Sequence, residues 1–252
     1  MASGVYLLGG VAIRIESIFD DVQQMCMDYR TNAAPEVTVS ITLADIEEEE
    51  GRLSDQERML EGLPEYHFEQ PYLETLAVYR KIATALLSRG VMLIHGSVIA
   101  VDGEGYLFTA LSGTGKSTHV RLWRELFSDR AVMVNDDKPL VRVSGEARPL
   151  VFGTPWDGKH HLSNNIAVPL RAIVILERGE ENEIHAISAE EAFPTLLQQS
   201  FRPEDDPVLT IQALQLLSQL SQQVGLYRLH CNMNPDAAHV AYEGITQAPH
   251  FQ

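Results

Sequence analysis

Ala110-Leu-Ser-Gly-Thr-Gly-Lys-Ser117 carries the densest chemistry of the chain. Gly113 and Gly115 allow successive backbone N–H groups to curl into one concavity and let the chain approach a large anion closely. Lys116 adds a positive charge. A helix starting near Lys116 adds unpaired amides and the positive end of its dipole. Ser117 sets a hydroxyl where a phosphate-bound Mg²⁺ seeks a ligand. The spacing is that of a P-loop with Ala110 in place of the first glycine. Ser112, Gly113, Thr114, Gly115, Lys116, Ser117 and Thr118 are therefore the expected binding residues for a nucleoside triphosphate, with Mg²⁺ as its companion ion.

Val134-Asn-Asp-Asp137 follows an apolar run downstream of that loop. A carboxylate at such a strand end is where P-loop enzymes hold Mg²⁺, so Ser117, Asp136 and Asp137 form the expected metal set. Adjacent residues on a strand point to opposite faces, so one acid can meet the metal while the other meets an acceptor hydroxyl as general base. The competing reading is a pair of turn-forming aspartates. His95-Gly96 lies upstream in an apolar strand, either as a core histidine or, through strand pairing, above the loop. Arg202 follows a predicted helix. It is a candidate for meeting transition-state charge, with capping of that helix as the alternative. Lys159 and Asn164-Asn165 flank a polar loop that holds the adjacent His160 and His161, which cannot share a face for metal binding.

These residues need a scaffold. Residues 1–15 alternate around Gly9-Gly10 as a hairpin, 36–43 alternate as a third strand, and 72–88 have helical spacing closed by Gly90. Glu47 to Glu50 read as a solvated loop or helix start. From Val91 the texture becomes β-rich, with strands at 91–94, 97–101 and 106–110. The loop and a helix through Phe127 follow, then a strand at 131–134. Further strands are expected at 138–143, 149–153, 169–176 and 225–230, with helices at 188–199, 208–222 and 235–246. The fold class is α/β with a mixed α+β sheet. Residues 1–70 form a small module and residues 71–252 the nucleotide-binding domain.

Composition narrows the function classes. The chain has 252 residues, 45% of them hydrophobic, and a formal charge of −16. That apolar share builds a core and rules out a disordered chain. A surface so acidic repels nucleic acid and anionic lipid. No run reaches the roughly 18 apolar residues of a membrane span, and the N-terminal segment lacks a basic start, so the expected location is cytoplasmic. Cys26 and Cys231 stand alone and read as buried reduced thiols rather than metal ligands. The acidic module over 1–70 suits a basic peptide or partner protein, or self-association into a homo-oligomer.

The segment His95-Gly-Ser-Val, the loop Ser112-Gly-Thr-Gly-Lys-Ser117 and Val134-Asn-Asp-Asp137 together resemble the catalytic core of the HPr kinase/phosphorylase family. The loop wording is equally similar to that of the phosphoenolpyruvate carboxykinases. Gly153-Thr-Pro-Trp156, Asn164-Asn165 and Arg202-Pro203 look like a group of small HPr-kinase-related proteins. The resemblance covers 91–178 well, 179–246 loosely and 1–70 hardly at all. It implies that residues 113–118 bind ATP phosphates, that Ser117 with Asp136 or Asp137 holds Mg²⁺, and that Asp136, assisted by His95, deprotonates a serine-type hydroxyl. The acceptor would be a protein, peptide or small molecule. Thr118 stands where HPr kinases carry an acid after the loop, and their EIRG-like signature is missing, which weakens both phosphorylase activity and HPr as substrate. The arginine-rich segments of carboxykinases are also missing. The alternatives are a non-catalytic ATP-binding or peptide-binding protein, or a carboxykinase.

Overall fold

The computed structural model describes residues 2–59, 68–111, 113–143, 145, 147–158 and 160–247, with backbone only at 54–59. They form two compact units, Met1–Ala85 and Leu86–Gln252.

In the first unit, strands β1 (Ala2–Leu8) and β2 (Val11–Ser17) make the expected hairpin. A short helix α1 (Asp21–Met25) follows, then β3 (Val37–Ser40), which pairs parallel to β2. The predicted strand over 36–43 is thus shorter, because helix α2 (Leu43–Met59) begins at its end. Thr42 and Asp45 fix that start: the Thr42 N–H and hydroxyl both donate to the Asp45 carboxylate at 2.8 Å. The acidic run at 47–50 lies inside α2, and one member is not solvated. Glu49 is buried and accepts two 2.7 Å bonds from Arg80 of helix α3 (Gln70–Leu87). Glu74 is fully buried, yet its two oxygens accept from the backbone N–H groups of Ile18 and Phe19 at 2.6 and 3.0 Å. A buried carboxylate satisfied in this way specifies how α3 meets the end of β2. Cys26 is buried as expected, and burial pushes its thiol up to about 12. Cys231 is half-buried, and neither cysteine is bridged.

The second unit is a mixed sheet with helices on both faces. Its strands are β4 (Val91–Leu93), β5 (Ser97–Val101), β6 (Glu104–Thr109), β7 (Ala131–Asn135), β8 (Leu140–Arg142), β9 (Leu150–Phe152), β10 (Ala167–Arg178), β11 (Glu183–Ala186) and β12 (Gly225–Cys231). They run in the order β4-β8-β9-β10-β6-β5-β7, with β12 on the far part of β10 and β11 beyond it. The long strand β10 joins the halves. Its first three residues pair antiparallel to β9; from Leu170 it pairs parallel to β6, with a bulge between Leu170 and Ala172, and from Ala172 parallel to β12 as well.

Alternation sorts the side chains between two cores. Val98, Leu107, Ile173 and Ile175 face helices α5 (Ala189–Gln199) and α6 (Pro207–Gln223). Ile99, Phe108, Ala172 and Val174 face helices α4 (Lys116–Phe127) and α7 (Asp236–Gln247). Sequence-local signals start two of these helices. Ser188 and Glu191 form a capping box for α5, and the Asp206 carboxylate caps α6 ahead of Pro207. β11 and α1 carried no recognisable periodicity because each is so short.

α4 is pinned through Trp123, which is fully buried against Tyr106 and Phe108 at ring distances of 4.8 and 5.1 Å. Its indole N–H donates to His119 Nε2 at 3.0 Å. Burial pushes the His119 imidazole down to about 4 from its ordinary 6.5. The folded state therefore resists a proton that the unfolded chain accepts. This stability is complete above pH 6.5 and lost as the pH falls toward 4, up to about 3 kcal/mol in all. The drop in unfolding midpoint between pH 7 and 4.5 should accordingly be smaller in His119→Gln than in the parent protein, as read by thermal melts.

Gly153, just after β9, sits where no side chain fits. A Cβ there would lie 1.9 Å from the Asn164 carbonyl oxygen and 2.5 Å from that of Val134. Both obstacles are backbone and cannot rotate away. Gly153→Ala should cost about 3 kcal/mol or more, measured by urea unfolding, or fail to accumulate as folded protein.

Candidate functional site

β6 ends at Thr109 and the 110–117 loop carries the chain into α4, so the loop sits at one end of the sheet, over the start of a firmly packed helix. Gly113 and Gly115 have φ of +74° and +115°, the left-handed region, and a Cβ on either would meet nothing within 4 Å. Space and not crowding lies in front of them. Gly115 is the N-cap of α4 and no side chain caps that end, which leaves its first amides facing outward. The loop is held from behind. The Thr114 hydroxyl donates to the Leu111 carbonyl at 2.8 Å, the Lys116 ammonium to the Ala110 carbonyl at 3.1 Å, and Arg178 at the end of β10 to the Gly113 carbonyl at 2.6 Å. Ser112 lies outside the described residues. Thr118 is half-buried one turn into the helix.

The acid pair stands beside this loop. β7 is parallel to β6, each being antiparallel to the intervening β5, so both strands end on the same side. Desolvation depresses the Lys116 pKa while Asp137 and Asp136 raise it, which shows all three charges sharing one neighbourhood. The two carboxyls do point apart, as alternation required. Asp136 is buried, accepts a 2.7 Å bond from the Ser97 hydroxyl, and lies close enough to the Ser117 hydroxyl and to His160 for both to lower its pKa. Burial outweighs these donors and raises it above the ordinary carboxylate range. Asp137 faces His95 and Lys138. Burial pushes its pKa upward, but the His95 hydrogen bond and the Lys138 charge overcome that and hold it at about 2.

His95 lies in the turn between β4 and β5 and reaches the acid pair, but its partner differs from the one implied by the resemblance. Its Nε2 donates to Asp137 Oδ1 at 3.0 Å, while Asp136 is served by Ser97. The other ring nitrogen lies 3.0 Å from Gln199 Oε1, and the His95 backbone N–H donates to the Gln199 carbonyl at 2.7 Å. The ring is clamped between two elements far apart in sequence. Arg202 is placed differently from the expectation for a charge-stabilising residue. Its guanidinium donates to the carbonyls of Leu197 and Ser200, at the C-terminal end of α5. Lys159 lies outside the described residues. Asn164 donates from its side chain to the Met133 carbonyl at 2.8 Å, lining the edge of β7 rather than reaching the loop.

Four residues of the site escaped the sequence reading. Ser97 had no signal, because His95 lies in the turn before β5 and only the fold sets the Ser97 hydroxyl against Asp136. Gln199 and Arg178 had none, because only the tertiary fold brings them to His95 and Gly113. Asn135 is the fourth. Its side-chain amide donates to the backbone and hydroxyl oxygens of Thr154 at 3.0 Å, and its Oδ1 accepts from the N–H groups of Asp137 and Lys138 at 2.9 and 2.7 Å. It is fully buried and shapes the turn that presents both acids.

This arrangement offers the uncapped start of α4, a partly buried ammonium, a hydroxyl, a carboxylate of raised pKa and one held anionic. It can accept an anion and, beside it, exchange a proton. The family model described as "SynChlorMet cassette protein ScmC" matches residues 70–235, a span that contains every element named here. The chain belongs to the ScmC family. Among solved structures, the HPr(Ser) kinase/phosphatase from Coxiella burnetii resembles it weakly, at 9% identity and a TM-score of 0.32 over 62% of this chain and 97% of that one. No curated protein sequence matches. No helix among the described residues is long and apolar enough to cross a membrane.

Replacing Asn135 by Ala leaves two backbone N–H groups and the Thr154 oxygens without their partner. A loss of about 2–4 kcal/mol in urea unfolding is expected.

Proposed function

We propose that the chain is an ATP- and Mg²⁺-dependent phosphotransferase acting on a serine-type hydroxyl. The observation that carries this reading is the convergence of Lys116 and Ser117 with Asp136 and Asp137 at one end of the sheet. A loop of this sequence beside an isolated lysine would only bind anions; the neighbouring acids supply what group transfer adds.

The residues suit the cofactor. The open faces of Gly113 and Gly115 and the uncapped start of α4 leave room and donors for phosphate oxygens. Mg²⁺ is ordinarily bound by one or two carboxylates together with substrate phosphates, so Ser117 with the Asp136–Asp137 pair is a sufficient protein contribution. When bound, the ion would neutralise charge on the phosphates and orient them. Lys116 compensates charge from the loop side. Asp137, kept anionic by His95 and Lys138, is the permanent negative charge of the pair. Asp136 is the acid with the raised pKa, and therefore the one matched to taking a proton from an acceptor hydroxyl. His95 acts through Asp137 and fixes its orientation. Arg202 retains only a supporting role in this scheme, ending α5 next to Gln199.

Incubation with γ-labelled ATP, Mg²⁺ and a cell extract should label an acceptor. Lys116→Ala and Asp136→Asn should each lower that labelling by about 10²-fold or more, with unfolding midpoints close to the parent's. Full labelling by Asp136→Asn would overturn the reading. ATP binding with no labelled product in the parent protein would favour a nucleotide sensor instead.

A further inference from the structure

From Ser117 and Asp136 a cleft of about 460 Å³ runs along the outer face of α4. Val120, Met133 and Leu162 form an apolar floor, and Arg121, Arg124 and His160 line it as well. The spacing is regular. Ser117, Arg121 and Arg124 stand at i, i+4 and i+7, one face of the helix. With a rise of 1.5 Å per residue, Arg121 lies about 6 Å and Arg124 about 10 Å along the axis from Ser117. An extended chain advances about 3.3 Å per residue and every second side chain shares a face, so side chains two and four residues from the first, about 7 and 13 Å on, are the ones that a long guanidinium side chain at Arg121 or Arg124 can meet.

Charge argues for the same occupant. In a chain of net charge −16, this cleft gathers two arginines and a histidine. Arg121 shares its guanidinium with Glu125 at 2.9 Å, but both side chains are more than half exposed, at 59% and 55%. A pair so hydrated contributes little and exchanges readily for a better partner. The basic groups are strung out along a line over an apolar floor rather than converging on a point. A small anion needs convergence; an extended chain with repeated acids needs a line.

We infer that this cleft receives the acceptor as an extended acidic peptide segment, its hydroxyl at Asp136 and its carboxylates two and four residues away at Arg121 and Arg124. The inference rests on the phosphotransferase reading for the placement of the hydroxyl, but not for the binding itself.

The test is fluorescence anisotropy of labelled nonapeptides with the full chain. Each peptide holds one serine in an alanine background, with glutamates two and four residues away on either side, with lysines there, or with neither. At least one acidic arrangement should bind tenfold or more tighter than the neutral peptide. The double variant Arg121→Glu/Arg124→Glu, both sites being exposed, should keep its unfolding midpoint and prefer the lysine peptides. Binding should persist in Lys116→Ala and resist displacement by ATP. Equal binding of acidic and neutral peptides overturns the proposal. So does displacement by ATP, which would make the cleft part of the nucleotide site, or free phosphoserine binding as tightly as the best peptide, which would make it a small-anion site. Tight, arginine-dependent binding without transfer of label from γ-labelled ATP leaves the cleft assignment standing and removes the phosphotransferase reading alone.

Discussion

Everything in the candidate site depends on one buried carboxamide. Asn135 lies at the last residue of β7, where the sheet stops supplying backbone partners and the chain must turn. Its oxygen accepts from the next two available amides, and its nitrogen ties the turn to Thr154, whose hydroxyl donates to the Lys138 carbonyl at 2.8 Å. The closed circuit holds two adjacent carboxyls in opposite directions at the edge of water. Asp136 then meets Ser97 and the start of α4, and Asp137 meets His95 and Lys138. An apolar residue at 135 could pack, but it could not satisfy four polar groups at once.

The different environments of the two acids follow from that geometry rather than from their own chemistry. Both are aspartates and both are partly desolvated. At one, burial outweighs the Ser97 and Ser117 hydroxyls and His160; at the other, His95 and Lys138 overcome burial, and their proton affinities separate accordingly. The same logic applies to the loop. Its glycines are free in front and its carbonyls are bound behind by Lys116 and Arg178. The start of α4 beyond it is left without a side-chain cap.

Much of this was legible in the residues. The loop, the acid pair and the strands flanking them were marked by local signals: paired glycines and an apolar run ending in polar residues. The helices of both faces were legible from periodicity. What could not be read was anything that required knowing which distant segments touch. The run following α5 lies antiparallel to residues 93–95, and this alone brings Gln199 to His95 and turns Arg202 back onto its own helix. Glu49 likewise looked like one more solvated charge in an acidic run, because its partner Arg80 lies in a different helix. The cleft along α4 was hidden for a related reason. Arg121 and Arg124 are ordinary helix-surface residues until the loop bearing His160 and Leu162 is placed opposite them.

The long strand β10 has a consequence for how the protein is made. Gly105 of β6 pairs with Leu170, and Ala172 pairs with Gly225, so the strand that carries the 110–117 loop gains its second neighbour only after some sixty further residues have left the ribosome. Arg178, which secures that loop, emerges later still. The half-made chain therefore has the glycine-rich segment without the clamp behind it, and competence arrives in one late step with the closing of the sheet.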